Sequence, residues 1–144
     1  MIFTFPAIDY QQQLIFASLD DFTPNDALSN YLGGQFGWNT EIWRQAVIEF
    51  LCINIKCELI ELTHHAIVMA RSKSTSLKDL LIHGDPTNNI SIDILWNALY
   101  FNGTSKLTKI LEDLDMHNWN AIDQPKNQNL IYKLTKLYED CTTP

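Results

Sequence analysis

The sequence is poor in the residues that interrupt or cross-link a chain, with only five glycines, five prolines and three cysteines in 144 residues. So little glycine and proline excludes a collagen-like or low-complexity chain. The cysteines, Cys52, Cys57 and Cys141, are odd in number and contain no CxxC pair. Neither a disulfide framework nor a zinc site is therefore expected, and buried free thiols are the default.

Long hydrophobic runs are also missing, because no apolar stretch approaches the roughly 18 to 20 residues that cross a bilayer. The first residues, MIFTFPAID, lack the basic start and the cleavage site of a signal peptide. We therefore expect a cytoplasmic protein with no membrane partner. At this length a single domain over 1–144 is expected, with the polar run at 71–76 as a candidate hinge.

Positive charge is scarce, since ten Lys and Arg stand against seventeen Asp and Glu, for a formal net charge of -7. Residues 1–70 hold eight of the acidic side chains and only Arg44 and Lys56 among the basic ones. An acidic surface repels phosphate backbones and attracts basic proteins over long distances. A nucleic-acid partner is therefore not expected and a basic protein partner is, although solubility alone accounts for the charge equally well.

One segment, residues 39–55, has a consistent helical period. Its apolar face consists of Ile42, Trp43, Ala46, Val47, Phe50, Leu51 and Asn54, at spacings of three and four. Asn39 is suited to cap the helix, and Trp38 before it can fold over Trp43 as a hydrophobic staple. The pattern predicts a buried central helix.

The segments around the central helix are also predicted to be largely helical. Residues 8–19 favour a helix, and Thr23 as a cap with Pro24 after it indicates a short helix over 24–32, ended by Gly33. Further helices are predicted where caps or apolar stripes begin, near Ser76, Ile92, Thr104 and Leu130.

Two short apolar runs, at 57–62 and 66–70, fit either a small β-hairpin or an irregular continuation of the central helix. The predicted fold class is therefore mainly α: a single compact helical domain, with room for one short β-hairpin near 57–70.

No set of residues points clearly to catalysis. The candidate metal ligands are Glu61, His64, His65, His83 and Asp85. Adjacent histidines on a strand point to opposite faces, and no HxxxH or HExxH pair exists, so a metal site is not expected. The loop at 33–37, GGQFG, lacks the Lys-Ser/Thr ending of a phosphate-binding loop. We predict no enzyme, no cofactor and no catalytic residue, and a small metal-dependent enzyme stays an alternative.

Residues 38–140 contain, in order, the central helix, KCELIEL, SLKDLLIHG, ILWNALYFNGTSKLTKILEDL and a closing HNWNAI. In this order, and in size and acidity, the chain resembles the bacterial immunity proteins of contact-dependent growth inhibition (CDI) systems. The resemblance implies a cytosolic protein that binds one cognate toxin domain, often a basic nuclease, and blocks its active site without catalysis. It transfers no residue roles.

Candidate contacts with such a partner come instead from the distribution of charge and aromatic residues. They are Asp20, Asp21, Asp26, Trp38, Glu41 and Glu61. Carboxylates would attract a basic toxin domain and speed association, and Trp38 would serve as an aromatic anchor. A structural domain that self-associates through exposed aromatic residues is the remaining alternative.

Overall fold

Helices dominate the part of the chain that the computed structural model describes, residues 5–63 and 76–142. In these ranges six α-helices occur: α1 (Ala7–Leu19), α2 (Thr40–Lys56), α3 (Leu77–His83), α4 (Ile92–Ala98), α5 (Ser105–Asp113) and α6 (Gln128–Thr142). Two short strands, β1 (Ile60–Leu62) and β2 (Phe101–Gly103), form an antiparallel sheet. The predicted fold class, mainly α with a small β element, is confirmed. None of these helices is long and apolar enough to cross a membrane.

Helix α2 lies at the centre of the core, as its sequence period predicts. The Asn39 side chain accepts a hydrogen bond from the Ile42 N–H at 3.2 Å and so caps the helix. The predicted face is buried at Trp43, Ala46, Val47, Phe50, Leu51 and Asn54. The staple prediction is wrong, because Trp38 is 79% exposed. The Trp43 ring packs instead against Trp96, with ring centroids 5.6 Å apart.

The predicted helix over 24–32 is also wrong, since only a 3-10 turn, Pro24–Asp26, forms there. Thr23 does not cap it; its hydroxyl donates to the Asp26 carboxylate at 3.0 Å. Hydrogen bonds to distant residues then replace the helical ones. The Gln13 side chain accepts from the Leu28 N–H at 2.9 Å, and the Trp43 indole donates to the Ala27 carbonyl at 3.0 Å.

Strand β1 pairs with a segment about forty residues later, in the register Ile60 to Gly103 and Leu62 to Phe101. On the other side of β2, Phe22 exchanges two backbone hydrogen bonds of 2.9 Å with Phe101. The second arm of the predicted hairpin, at 66–70, lies outside the described residues, as does the candidate hinge except for Ser76.

Helix α1, predicted over 8–19, is confirmed and packs against β2 and the C-terminal segments of the chain. Buried Gln11 accepts from the Asn127 N–H at 2.8 Å and donates to the Pro125 carbonyl at 3.1 Å. Helices α3 to α6 begin where their caps and stripes predict; Ser76, Ser91 and Thr104 cap the first three of these. The result is a helical core with the small sheet packed against the end of α1.

Candidate protein-binding surface

All six candidate contact residues are exposed, and the fold places them in two groups. The first is the sheet patch, which we define as Asp20, Asp21 and Glu61. The second lies around the start of α2 and contains Asp26, Trp38 and Glu41. Their exposure follows from the sequence, but the grouping depends on the tertiary fold.

The sheet patch is formed by strand register. Phe22 and Leu62 both lie opposite Phe101, on its two sides. One residue further along, Glu61 lies opposite Asn102. Extending the antiparallel bridge between Phe22 and Phe101 by one residue places Asp21 on the other side of Asn102. Side chains in one row share a face, and neighbouring strands are about 4.8 Å apart, so the backbones of Glu61 and Asp21 are about 10 Å apart.

Asp20 completes the sheet patch from the end of α1. Its carboxylate accepts a hydrogen bond from the Asp21 N–H at 2.8 Å. Among the described residues, the ion pairs are Arg44 with Asp93 and Lys109 with Asp113, so none involves the sheet patch. Its charge is therefore available to a basic partner.

The second group surrounds a tight loop that we call the aromatic turn, residues 33–38. Phe36 is 90% exposed and Trp38 is 79% exposed, the two largest values among the exposed large hydrophobic side chains of the described residues. A 3-10 turn, Gly34–Phe36, packs against α2 and against the turn that contains Asp26. Both rings are therefore largely accessible to a partner.

Glycine sets the shape of the aromatic turn. Gly33 has a φ of 84°, and a Cβ there would lie 2.8 Å from the Gly37 Cα. A Cβ on Gly37 would collide with the Leu32 carbonyl oxygen. The Gly37 N–H donates to the Gly34 carbonyl at 3.1 Å, which closes the turn. The loop therefore has a defined conformation in which both rings point into solvent.

Helix α4 borders the same surface. The Arg44 guanidinium lies 3.6 Å from the Asp93 carboxylate and 4.9 Å from the Trp96 ring centroid. Asn25 donates to the Asn97 side chain at 2.8 Å, which ties α4 to the turn beside Asp26. Ile94, on the same helix, is an exposed apolar side chain with 52% of its surface accessible.

A groove of about 280 Å³, lined by both polar and apolar side chains, runs from Asp26 along α1 to Asp9. Ser29 lines it and lies under Gly34, so the groove adjoins the aromatic turn. Burial raises the pKa of Asp9, although a backbone hydrogen bond partly opposes the effect. A cationic side chain entering the groove would relieve this cost, which suits a basic partner.

The candidate metal ligands are only partly described, because His64 and His65 lie outside the described residues. Asp85 is buried and caps a turn, where its carboxylate accepts from the Asn88 side chain at 2.9 Å. Over 5–63 and 76–142, no three His, Cys, Asp or Glu residues are placed to hold a metal ion. Asp85 is thus explained by its structural role.

Phe36 is the functional candidate that sequence reasoning missed. The only signal was a large apolar residue inside a glycine-rich loop, GGQFG, which reads as a connector. The arrangement of rings and carboxylates offers binding chemistry, with anchors at the centre and charge at the edge.

No family model, curated protein or solved structure matches this chain.

Proposed function

We propose that this chain is an immunity protein that binds a cognate bacterial toxin domain in the cytoplasm and blocks its active site. The partner is a basic protein, of the nuclease kind, and the binding involves no catalysis, cofactor or nucleic acid. The observation that carries the proposal is the aromatic turn: Phe36 and Trp38 are held out by a tight glycine loop beside Asp26 and Glu41.

Aromatic residues dominate the energy of many protein interfaces, because a large rigid ring buries much area for little loss of conformational entropy. The glycine turn fixes the backbone beneath both rings before the partner arrives. Little ordering entropy is therefore lost on binding. Asp26 and Glu41 lie at the edge of this apolar centre, where carboxylates can meet Lys and Arg of the toxin domain.

The sheet patch extends the negative surface and would act mainly during approach. Exposed carboxylates at the rim of an interface change the association rate more than the final affinity. A nuclease active site is basic because it binds phosphates. An acidic protein surface that covers such a site is therefore electrostatically complementary to it. The resemblance to CDI immunity proteins supports the same choice of partner.

The test begins with co-expression of the tagged chain and the polypeptide encoded immediately upstream of its gene. We expect a basic polypeptide to co-purify in stoichiometric amount and its toxicity to be suppressed. Phe36→Ala and Trp38→Ala are each expected to weaken binding about 30-fold, or ~2 kcal/mol, as for interface anchors.

Tyr132→Ala is the matched control, because Tyr132 is 67% exposed on α6, a helix outside the candidate surface. Its affinity should stay within about threefold of the parent. Failure of any neighbouring product to bind would contradict the proposed function. Unchanged binding by the Phe36→Ala, Trp38→Ala double variant would remove the aromatic turn from the interface.

The same exposed rings favour one competing function, self-association through the aromatic turn. Two copies meeting there would bring Asp26 and Glu41 of each close to those of the other, and like charges oppose that contact. Light scattering across a concentration series distinguishes the two. A dimer that Trp38→Ala dissociates would support the structural domain instead.

A further inference from the structure

We propose that Cys57 and Cys141 form an intramolecular disulfide that fastens α6 to the end of α2 when the protein meets a small-molecule disulfide such as oxidised glutathione. Nothing in this proposal depends on the immunity function. In the reduced structure both residues are free thiols.

A buried hydrogen bond sets the alignment of the two helices. The Tyr138 hydroxyl donates to the Asn54 side chain at 2.7 Å, at a site where Asn54 is fully buried. Cys57 and Cys141 each follow one of these residues by three positions. Residues three apart share a helical face, so the contact between Asn54 and Tyr138 brings the two cysteines together.

Direct contacts of Cys57 agree with this alignment. Its thiol donates to the Leu137 carbonyl at 3.7 Å, and Cys141 lies one helical turn beyond Leu137. Cys141 is also among the groups that raise the pKa of Cys57, so the two thiols are close enough to interact. The Lys106 ammonium donates to the Cys57 carbonyl at 3.0 Å and holds the backbone there.

The two cysteines differ in access, and this sets the order of steps. Cys141 is partly exposed, whereas Cys57 is 1% exposed. The Cys141 thiolate attacks glutathione disulfide, forms a mixed disulfide and releases one glutathione thiolate. Cys57 then loses its proton to solvent, attacks the Cys141 sulfur and expels the second glutathione. Two protein thiols are oxidised and one disulfide is reduced.

Closure is expected to be slow near neutral pH. Burial is the largest of the causes that raise the pKa of Cys57 to about 12, and it still acts in the mixed disulfide, where Cys141 no longer has a thiol. Around this thiol, the charged and titratable groups are Lys56, Lys106, Tyr138 and Cys141. From the isolated mixed disulfide, the closing rate should therefore rise about tenfold per pH unit between pH 7 and 9.

The experiment incubates the full chain with oxidised glutathione and counts thiols under denaturing conditions. We expect a loss of at least two free thiols, an intramolecular peptide pair containing Cys57 and Cys141 by mass spectrometry, and a thermal midpoint about 5 to 10 °C higher. Cys52→Ser should keep the bond, because Cys52 lines a different groove, with Lys78 and Ile82.

Cys141→Ser removes a partly exposed thiol and should fold, yet fail to form the bond. It keeps the test sound even if Cys57→Ser, which alters a buried position, does not fold. Three free thiols after prolonged oxidation of the parent chain would overturn the proposal. So would a bond that contains Cys52 or that joins two chains.

Discussion

Buried polar side chains decide which segments of this fold meet. Asn54 lies on the apolar face of α2 and accepts from the Tyr138 hydroxyl at 2.7 Å. Gln11 links α1 to the loop at Pro125 and Asn127. A buried polar group is stable only when its hydrogen bonds are made, so each such residue selects its partner segment. The helical period of the sequence predicts that Asn54 is buried, but it does not indicate that Tyr138 is its hydrogen-bond partner.

Tyr138→Phe should lower the free energy of unfolding by about 1 to 3 kcal/mol, because Asn54 would keep a buried acceptor without its donor. Burial raises the pKa of Tyr138 well above its ordinary value, so the hydroxyl remains a donor at ordinary pH. Urea denaturation at neutral pH measures the loss.

Tyr132→Phe provides the control for that substitution. Tyr132 is 67% exposed on the same helix, and removing its hydroxyl should change stability by less than about 0.5 kcal/mol. Equal stabilities of the two variants would show that the hydrogen bond between Asn54 and Tyr138 does not contribute to folding.

At the scale of elements, segments with local signals were predictable and segments fixed by distant partners were not. Helix α2 has its own cap in Asn39 and its own apolar face, and both are confirmed. The helix over 24–32 fails because Gln13 and Trp43 take the hydrogen bonds that a helix would use. Strand β2 was missed because its pairing with β1 joins residues far apart in sequence.

In the candidate surface, too, local features were predictable from the sequence and features that depend on distant segments were not. Charge alone singles out Asp21 and Glu61, but only the pairing of β2 with β1 on one side and with Phe22 on the other places them in one row. Phe36 was missed because a single apolar residue in a glycine-rich loop shows neither helical nor strand periodicity. The display of its ring depends on the conformation of the whole loop.

Gly37→Ala should destabilise the aromatic turn, because the added Cβ collides with the Leu32 carbonyl oxygen. Backbone strain of this kind lowers stability by roughly 1 to 3 kcal/mol. Under the proposed function, binding of the toxin domain should weaken as well, since the rings lose their fixed support. Denaturation and affinity measurements on the same variant test both effects.

Gln35→Ala in the same turn is the control, because it shortens a half-buried side chain without blocking the backbone. It should leave stability within about 0.5 kcal/mol of the parent. A Gly37→Ala protein as stable as Gln35→Ala would mean that the loop can adopt another conformation.

At the scale of the whole molecule, the asymmetric charge is the feature that bears on association. Replacing Asp20, Asp21 and Asp26 with Lys should lower the association rate with the proposed basic toxin domain by at least about tenfold at low salt. Counterions screen exposed charges, so the difference from the parent should disappear as salt approaches about 1 M. Stopped-flow binding over a salt series measures both.

A second triple variant separates local charge from net charge. Asp79, Glu112 and Asp140 are exposed and belong to neither group of the candidate surface, and their change to Lys alters the net charge equally. If the first three residues face the partner, this variant should lose much less association rate. Equal losses would mean that net charge alone steers the encounter, and no loss in either would remove steering from the mechanism.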